Sequence, residues 1–142
     1  MKQLGSMRIL VAILLTLLFI APVQANPAIE HWETDNGLKV YFMPAQALPM
    51  LDLRVVFRAG SARDNGTLGL ARLTNGLLST GAGDWDADAI AERFESVGAQ
   101  FGSDALRDMA YVSLRTLTEA DWMETALETF TAVLGDPRFP ER

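Results

Sequence analysis

The 142-residue chain has no cysteine and a single histidine, His31. Without cysteine there is no disulfide framework and no thiolate metal site, so an exported form must rely on its core for stability. With one histidine there is no Ser/His/Asp set, and no second imidazole at helical or strand spacing that would make His31, beside Trp32, a metal ligand. No glycine-rich phosphate loop is present, and no repeat or low-complexity tract follows the N-terminal stretch. Basic residues are the minority, 12 against 18 acidic, for a net charge of -6. That balance disfavours nucleic acid and anionic lipid as partners. The long apolar run from Ile9 to Ala21 spans ~20 Å as a helix, short of the roughly 30 Å hydrocarbon core of a bilayer. Lys2 and Arg8 precede it and the small-residue site Val23-Gln24-Ala25 follows. Residues 1–25 therefore read as a secretory signal peptide, with no stable membrane insertion expected after cleavage. Its removal takes two of the 12 basic residues and none of the 18 acidic ones, leaving -8.

The remainder, 26–142, patterns as one α+β domain with helices packed on a mostly antiparallel sheet. Glu30–Thr34 and Leu38–Met43 flank Asp35-Asn36-Gly37, a hairpin signal because Asn and Gly tolerate positive φ. Leu51, Leu53, Val55 and Phe57 alternate with Asp52, Arg54, Val56 and Arg58 as a half-buried strand does. Gly69 to Gly81 predicts a short amphipathic helix. Leu70, Leu73 and Leu77 at i, i+3 and i+7, widened by Ala71 and Leu78, form the core face, with Arg72, Asn75, Gly76 and Ser79 opposite. Asn75-Gly76 is a turn dipeptide inside it, and the glycine costs about 0.8–1 kcal/mol relative to alanine. Gly81-Ala82-Gly83 predicts a flexible link. Asp86 then caps a helix carrying Ile90, Phe94 and Val97 and closed by Gly98. Strands follow around Gln100–Ser103 and Met109–Leu117, the second with Ala110, Val112 and Leu114 on one face. Thr118 is the expected cap of a last helix, with Trp122, Ala126, Phe130 and Val133 in line and Gly135-Asp136-Pro137 as its stop. Asp84, Asp86 and Asp88 alternate like the start of a calcium loop but lack the glycine its turn requires, so capping and helix-dipole roles suit them better.

In its setting after a strand and an Asp64-Asn65-Gly66 turn, Gly69-Leu70-Ala71-Arg72-Leu73-Thr74-Asn75-Gly76 resembles the zinc helix of the insulinase/pitrilysin family of peptidases. The surrounding segments agree in order: Arg58-Ala59-Gly60-Ser61, Glu95-Ser96-Val97-Gly98-Ala99, Arg107-Asp108 leading into Val112-Ser113-Leu114-Arg115, and Pro137-Arg138-Phe139-Pro140. In that family the helix reads Gly-Leu-Ala-His-Leu-x-Glu-His, with two histidine ligands and a glutamate base. Arg72, Asn75 and Gly76 fill those three places here. A guanidinium has only donors and stays protonated. About 4 Å from a divalent cation it would be repelled by about 8 kcal/mol at an effective dielectric near 20. The Asn75 amide has no pKa that suits a general base, and Gly76 has no side chain. The family's further glutamate ligand would lie beyond Arg142. No catalytic residue, metal ligand or cofactor is therefore expected.

The resemblance implies the first part of a family domain and a continuous helix over the motif. In bacteria the family is similar to a pattern of paired proteins, one bearing zinc and one that has lost it, which together enclose a chamber. The expectation is a periplasmic, non-catalytic subunit that binds peptide substrates and pairs with an active zinc-bearing homologue. Arg72, Asn75 and Ser79 are the candidate contacts to substrate or partner, the alternative being that they are ordinary solvated residues. Two other readings stay open: an active metallopeptidase whose site is completed elsewhere, and a stand-alone periplasmic peptide-binding module.

Overall fold

Alternating side chains in the central strands decide which face of the sheet the helices cover. The structure is a computed structural model and describes residues 28–139. The expected signal peptide at 1–25 lies outside the described residues, as does the end of the Pro137–Arg142 segment. The chain divides into two compact units, Met1–Ala45 and Gln46–Arg142.

In the first unit, β1 (Glu30–Glu33) pairs antiparallel with β2 (Lys39–Phe42). The Asn36-Gly37 turn closes it as the dipeptide predicts, with Gly37 at φ 82° and its N–H donating to the Thr34 carbonyl at 2.8 Å. His31 faces Tyr41 across the ladder, ring centroids 6.2 Å apart.

The second unit is built on a three-stranded antiparallel sheet in the order β3 (Met50–Phe57), β7 (Ala110–Leu117), β6 (Gln100–Ala105). Leu114 of β7 stands opposite Leu53 on one side and Phe101 on the other. Ala110, Val112, Leu114 and Thr116 are all buried, while Tyr111, Ser113 and Arg115 point to the other face. Two helices cover the buried face, α2 (Ala87–Ser96) and α3 (Ala120–Gly135). Ile90 and Phe94 from the first, and Ala126, Phe130 and Val133 from the second, meet Val112 and Leu114 in one core. Phe94 stacks on Phe101 at 5.3 Å, and Phe130 meets the same ring edge-on at 6.3 Å. Arg93 fastens the two helices together. Its guanidinium lies 3.9 Å over the Trp85 ring, its Nε donates to Thr129 Oγ1 at 2.9 Å, and it pairs with Glu128.

Asp86 caps α2 as expected, its Oδ1 accepting from the Ala89 N–H at 2.9 Å, and Gly98 takes φ 63° after the helix end. Two expectations are corrected. Gly81–Gly83 is no flexible link: β4 (Gly81–Ala82) and β5 (Trp85–Asp86) form a small hairpin, and Ala82 is fully buried. Gly83, at φ 53°, permits that tight reversal. Thr118 does not cap α3. Its N–H reaches back to the Pro49 carbonyl at 3.0 Å, and Glu119 takes the cap position with no side-chain hydrogen bond. Trp122, the first residue of the α3 line, is 40% exposed, because it precedes the turn at which α3 settles on the sheet with Ala126.

Candidate functional site

The motif segment forms α1 (Leu70–Gly76). Gly69, at φ 88°, occupies the N-cap position and has no side chain to offer the first turn. Asp64, itself 5% exposed, replaces it from five residues upstream, accepting from the Gly69 N–H at 2.8 Å and the Ala71 N–H at 3.0 Å. A carboxylate satisfying orphan donors at a helix start is favoured by hydrogen bonding and by the helix dipole. Asp64 is held in turn by the 3₁₀ turn Ser61–Arg63, which lies against the β6–β7 loop. The Ser61 and Ala62 N–H groups donate to the Leu106 and Arg107 carbonyls, both at 2.9 Å, and Arg63 Nη1 to Asp108 O at 3.1 Å. Gly60 makes this approach possible, since a Cβ there would sit 2.3 Å from the Arg107 carbonyl oxygen. The Arg58–Ser61 and Arg107-Asp108 segments, singled out separately in sequence, thus meet to position one helix.

α1 differs from its predicted form in two respects. It is not continuous: the α-helix ends at Gly76, and Leu78–Thr80 tightens into a 3₁₀ turn. Asn75-Gly76 is the physical reason, being the weakest helix-forming pair in the segment. Its faces are also turned. Leu70 and Leu73 are 48% and 61% exposed, whereas Asn75, expected on the polar face, is 5% exposed. The inward line is Ala71, Asn75 and Leu78 at i, i+4 and i+7, which laps onto β6 and β7. Asn75 Nδ2 donates to the Tyr111 carbonyl at 3.3 Å, and Ser103 Oγ donates to the Asn75 carbonyl at 3.1 Å. The asparagine is therefore a latch between helix and sheet.

Arg72 and Gly76 are exposed, and Ser79 is half-buried. A cleft of about 480 Å³ opens beside the helix, lined among others by Phe57, Leu70, Ala71, Asn75, Leu78 and Leu134. Of the candidate contacts only Asn75 borders it. Ser79 borders a different recess with Ile90 and Phe94, so Arg72, Asn75 and Ser79 do not converge on one surface. Sequence reasoning missed Asp64 and Ser103, which are local only in space; the sole hint was an acid shortly before a helix that lacked a cap. On the sheet's open face Arg54 lies 4.6 Å over the Tyr111 ring, and Arg115 pairs with Asp52 through Nε at 2.6 Å and Nη2 at 3.0 Å. The Arg115 hydrogen bond, reinforced by its charge, holds the Asp52 carboxyl below its ordinary range. Among the described residues no three His, Cys, Asp or Glu side chains come together as a metal cradle, and no helix is long and apolar enough to cross a membrane.

The model of the insulinase family, peptidase family M16, matches residues 47–142, most of the chain and nearly the whole of its second unit. The chain belongs to this family. Comparison with curated proteins gives no match. Among solved structures it is similar to a peptidase M16 inactive domain from Pseudomonas fluorescens, 47% identical over 80% of this chain with a TM-score of 0.77. It shares its fold with a protease from Helicobacter pylori, 20% identical over 82% of the chain with TM-score 0.70. It also shares it with pitrilysin, 22% identical over 81% with TM-score 0.65. The chain spans 27% of the Pseudomonas protein's length, 28% of the Helicobacter protein's and 12% of pitrilysin's. The α+β fold is thus that of the first part of a peptidase M16 domain. The family's zinc does not fit the residues present on α1: Arg72, Asn75 and Gly76 together offer no imidazole, carboxylate or thiolate.

Proposed function

We propose that this chain is the N-terminal part of an exported, non-catalytic insulinase-family subunit. In this reading it assists peptide degradation in the periplasm by pairing with a zinc-bearing homologue and supplying part of the surface that substrate meets. The observation that carries the reading is Asn75. It stands where the family places its general base, yet its side chain is buried and its amide holds α1 to Tyr111. A residue with that duty is a structural replacement for a base. Arg72 on the exposed side of the same helix is the candidate contact to a peptide carboxylate or an acidic partner, by the forked geometry of its donors. Ser79 is the remaining candidate, half-buried beyond the helix end. The likeness to a chain described as an inactive domain supports the non-catalytic part of the reading.

Affinity capture with the tagged protein, at native expression from a periplasmic extract, tests it. Recovery of a family member with an intact His-x-x-Glu-His helix is the expected result. Localisation of the protein to the cytoplasm, or capture of no such homologue, would contradict it.

A further inference from the structure

Asn-Gly occurs three times, at Asn36-Gly37, Asn65-Gly66 and Asn75-Gly76. In each, the glycine backbone nitrogen can approach the asparagine Cγ without hindrance from a Cβ. The fold treats the three differently. At Asn36 the Gly37 N–H is engaged with the Thr34 carbonyl at 2.8 Å, and Asn36 Oδ1 accepts from Thr34 Oγ1. At Asn75 the side chain is buried and bound to Tyr111, and Gly76 lies within α1. Asn65 is exposed, and among the described residues neither its side chain nor the Gly66 N–H makes a hydrogen bond. Nothing lies within 4 Å of the position a Gly66 Cβ would take. Both residues have positive φ, 46° and 93°, in a turn closed by the Thr67 N–H on the Asp64 carbonyl at 2.9 Å.

We propose that Asn65 is a site of spontaneous covalent modification, deamidation, with water as the co-reactant. The Gly66 nitrogen attacks Cγ of Asn65, a nitrogen–carbon bond forms, and the Cγ–Nδ2 bond breaks. The Gly66 proton is lost to solvent, the departing nitrogen takes up a proton, and ammonia leaves. Water then opens the five-membered succinimide at either carbonyl, giving aspartate or isoaspartate at position 65. The isoaspartate product runs the main chain through the former side chain and adds a methylene inside the 64–67 turn. Asp64, whose carboxylate anchors the Gly69 and Ala71 N–H groups, is the adjacent residue. Modification therefore loosens the start of α1.

The test incubates the full chain at neutral and mildly alkaline pH, folded and in urea. Trypsin, cutting after Lys39, Arg63, Arg72 and Arg93, then places the three asparagines in three peptides. In the folded protein, the peptide from Asp64 to Arg72 is expected to gain the amide-to-acid mass and isoaspartyl methyltransferase labelling several-fold faster than the other two. In urea the three rates are expected to converge. Hydrogen exchange of the aged fraction is expected to be faster over residues 69–76 than in fresh protein. Equal folded-state rates at the three sites, or faster conversion at Asn36 or Asn75, would overturn the assignment of the site. Unchanged exchange over 69–76 in fully converted protein would overturn the coupling to α1.

Discussion

Asn75 shows how a single buried side chain can hold a short helix to a sheet. Its carboxamide donates to a main-chain carbonyl of the central strand, an arrangement that a glutamate could not reproduce while ionised. Asn75→Ala removes that donor and should destabilise the chain by about 1 kcal/mol, the net worth of one buried hydrogen bond. Asn75→Asp places a carboxylate against the Tyr111 carbonyl and should cost on the order of 3 kcal/mol. Urea denaturation of both variants checks the order; an aspartate variant as stable as the parent would refute the latch. On the opposite face of the sheet, Asp52 has its pKa lowered by the hydrogen bond from Arg115. Its contribution to stability is therefore present above the ordinary carboxylate value of 3.8 and is lost as pH falls through the lower folded-state value. Both groups are exposed, so the effect on stability is small. The titration itself is the better readout: in Arg115→Gln, the Asp52 carboxyl resonance should shift its midpoint upward by NMR, and an unmoved midpoint would deny the pairing.

At the scale of elements, the sequence was legible wherever one strong periodicity ran unopposed. The β7 alternation, the α2 stripe with its Asp86 cap and Gly98 stop, and the α3 line through Ala126, Phe130 and Val133 all stand in the structure as the residues predict. α1 was not legible, because two helical lines compete within seven residues. Leu70, Leu73 and Leu77 satisfy one spacing, and Ala71, Asn75 and Leu78 satisfy another about 100° away, one residue's rotation. Hydrophobicity favours the first. The small Ala71 and the hydrogen-bonding Asn75, which let the helix lie on β6 and β7, favour the second, and they prevail. Thr118 departs from its expected role for a related reason: its distant partner Pro49 is invisible to a local capping rule. Leu73→Asp should therefore change the stability of this chain by no more than about 0.5 kcal/mol, as an exposed substitution does. Leu114→Ala, at 1% exposure, should cost about 2–5 kcal/mol. Thermal or chemical denaturation of the pair checks the rotation of α1, and a Leu73 variant as damaging as the Leu114 one would place that leucine back in the core.

For the whole molecule, the resemblance legible in the motif and its neighbours is matched by the family assignment over 47–142 and by the folds of three solved proteins. What the frame retains is architecture: a sheet, two covering helices and a short third helix held by Asp64 and Asn75. At the three positions where the resemblance places the family's ligands and base, Arg72, Asn75 and Gly76 offer no imidazole, carboxylate or thiolate. The candidate contacts were less legible than the frame, because burial of Asn75 and the separation of Ser79 from the α1 cleft depend on how the helix is rotated and where it breaks. The most direct test is the zinc content of the purified protein after dialysis, measured with its hydrolysis of a quenched peptide in the absence of any partner. Zinc well below stoichiometric and no chelator-sensitive cleavage are expected. Stoichiometric zinc, with cleavage abolished by a chelator and restored by the metal, would contradict a helix stripped of its chemistry.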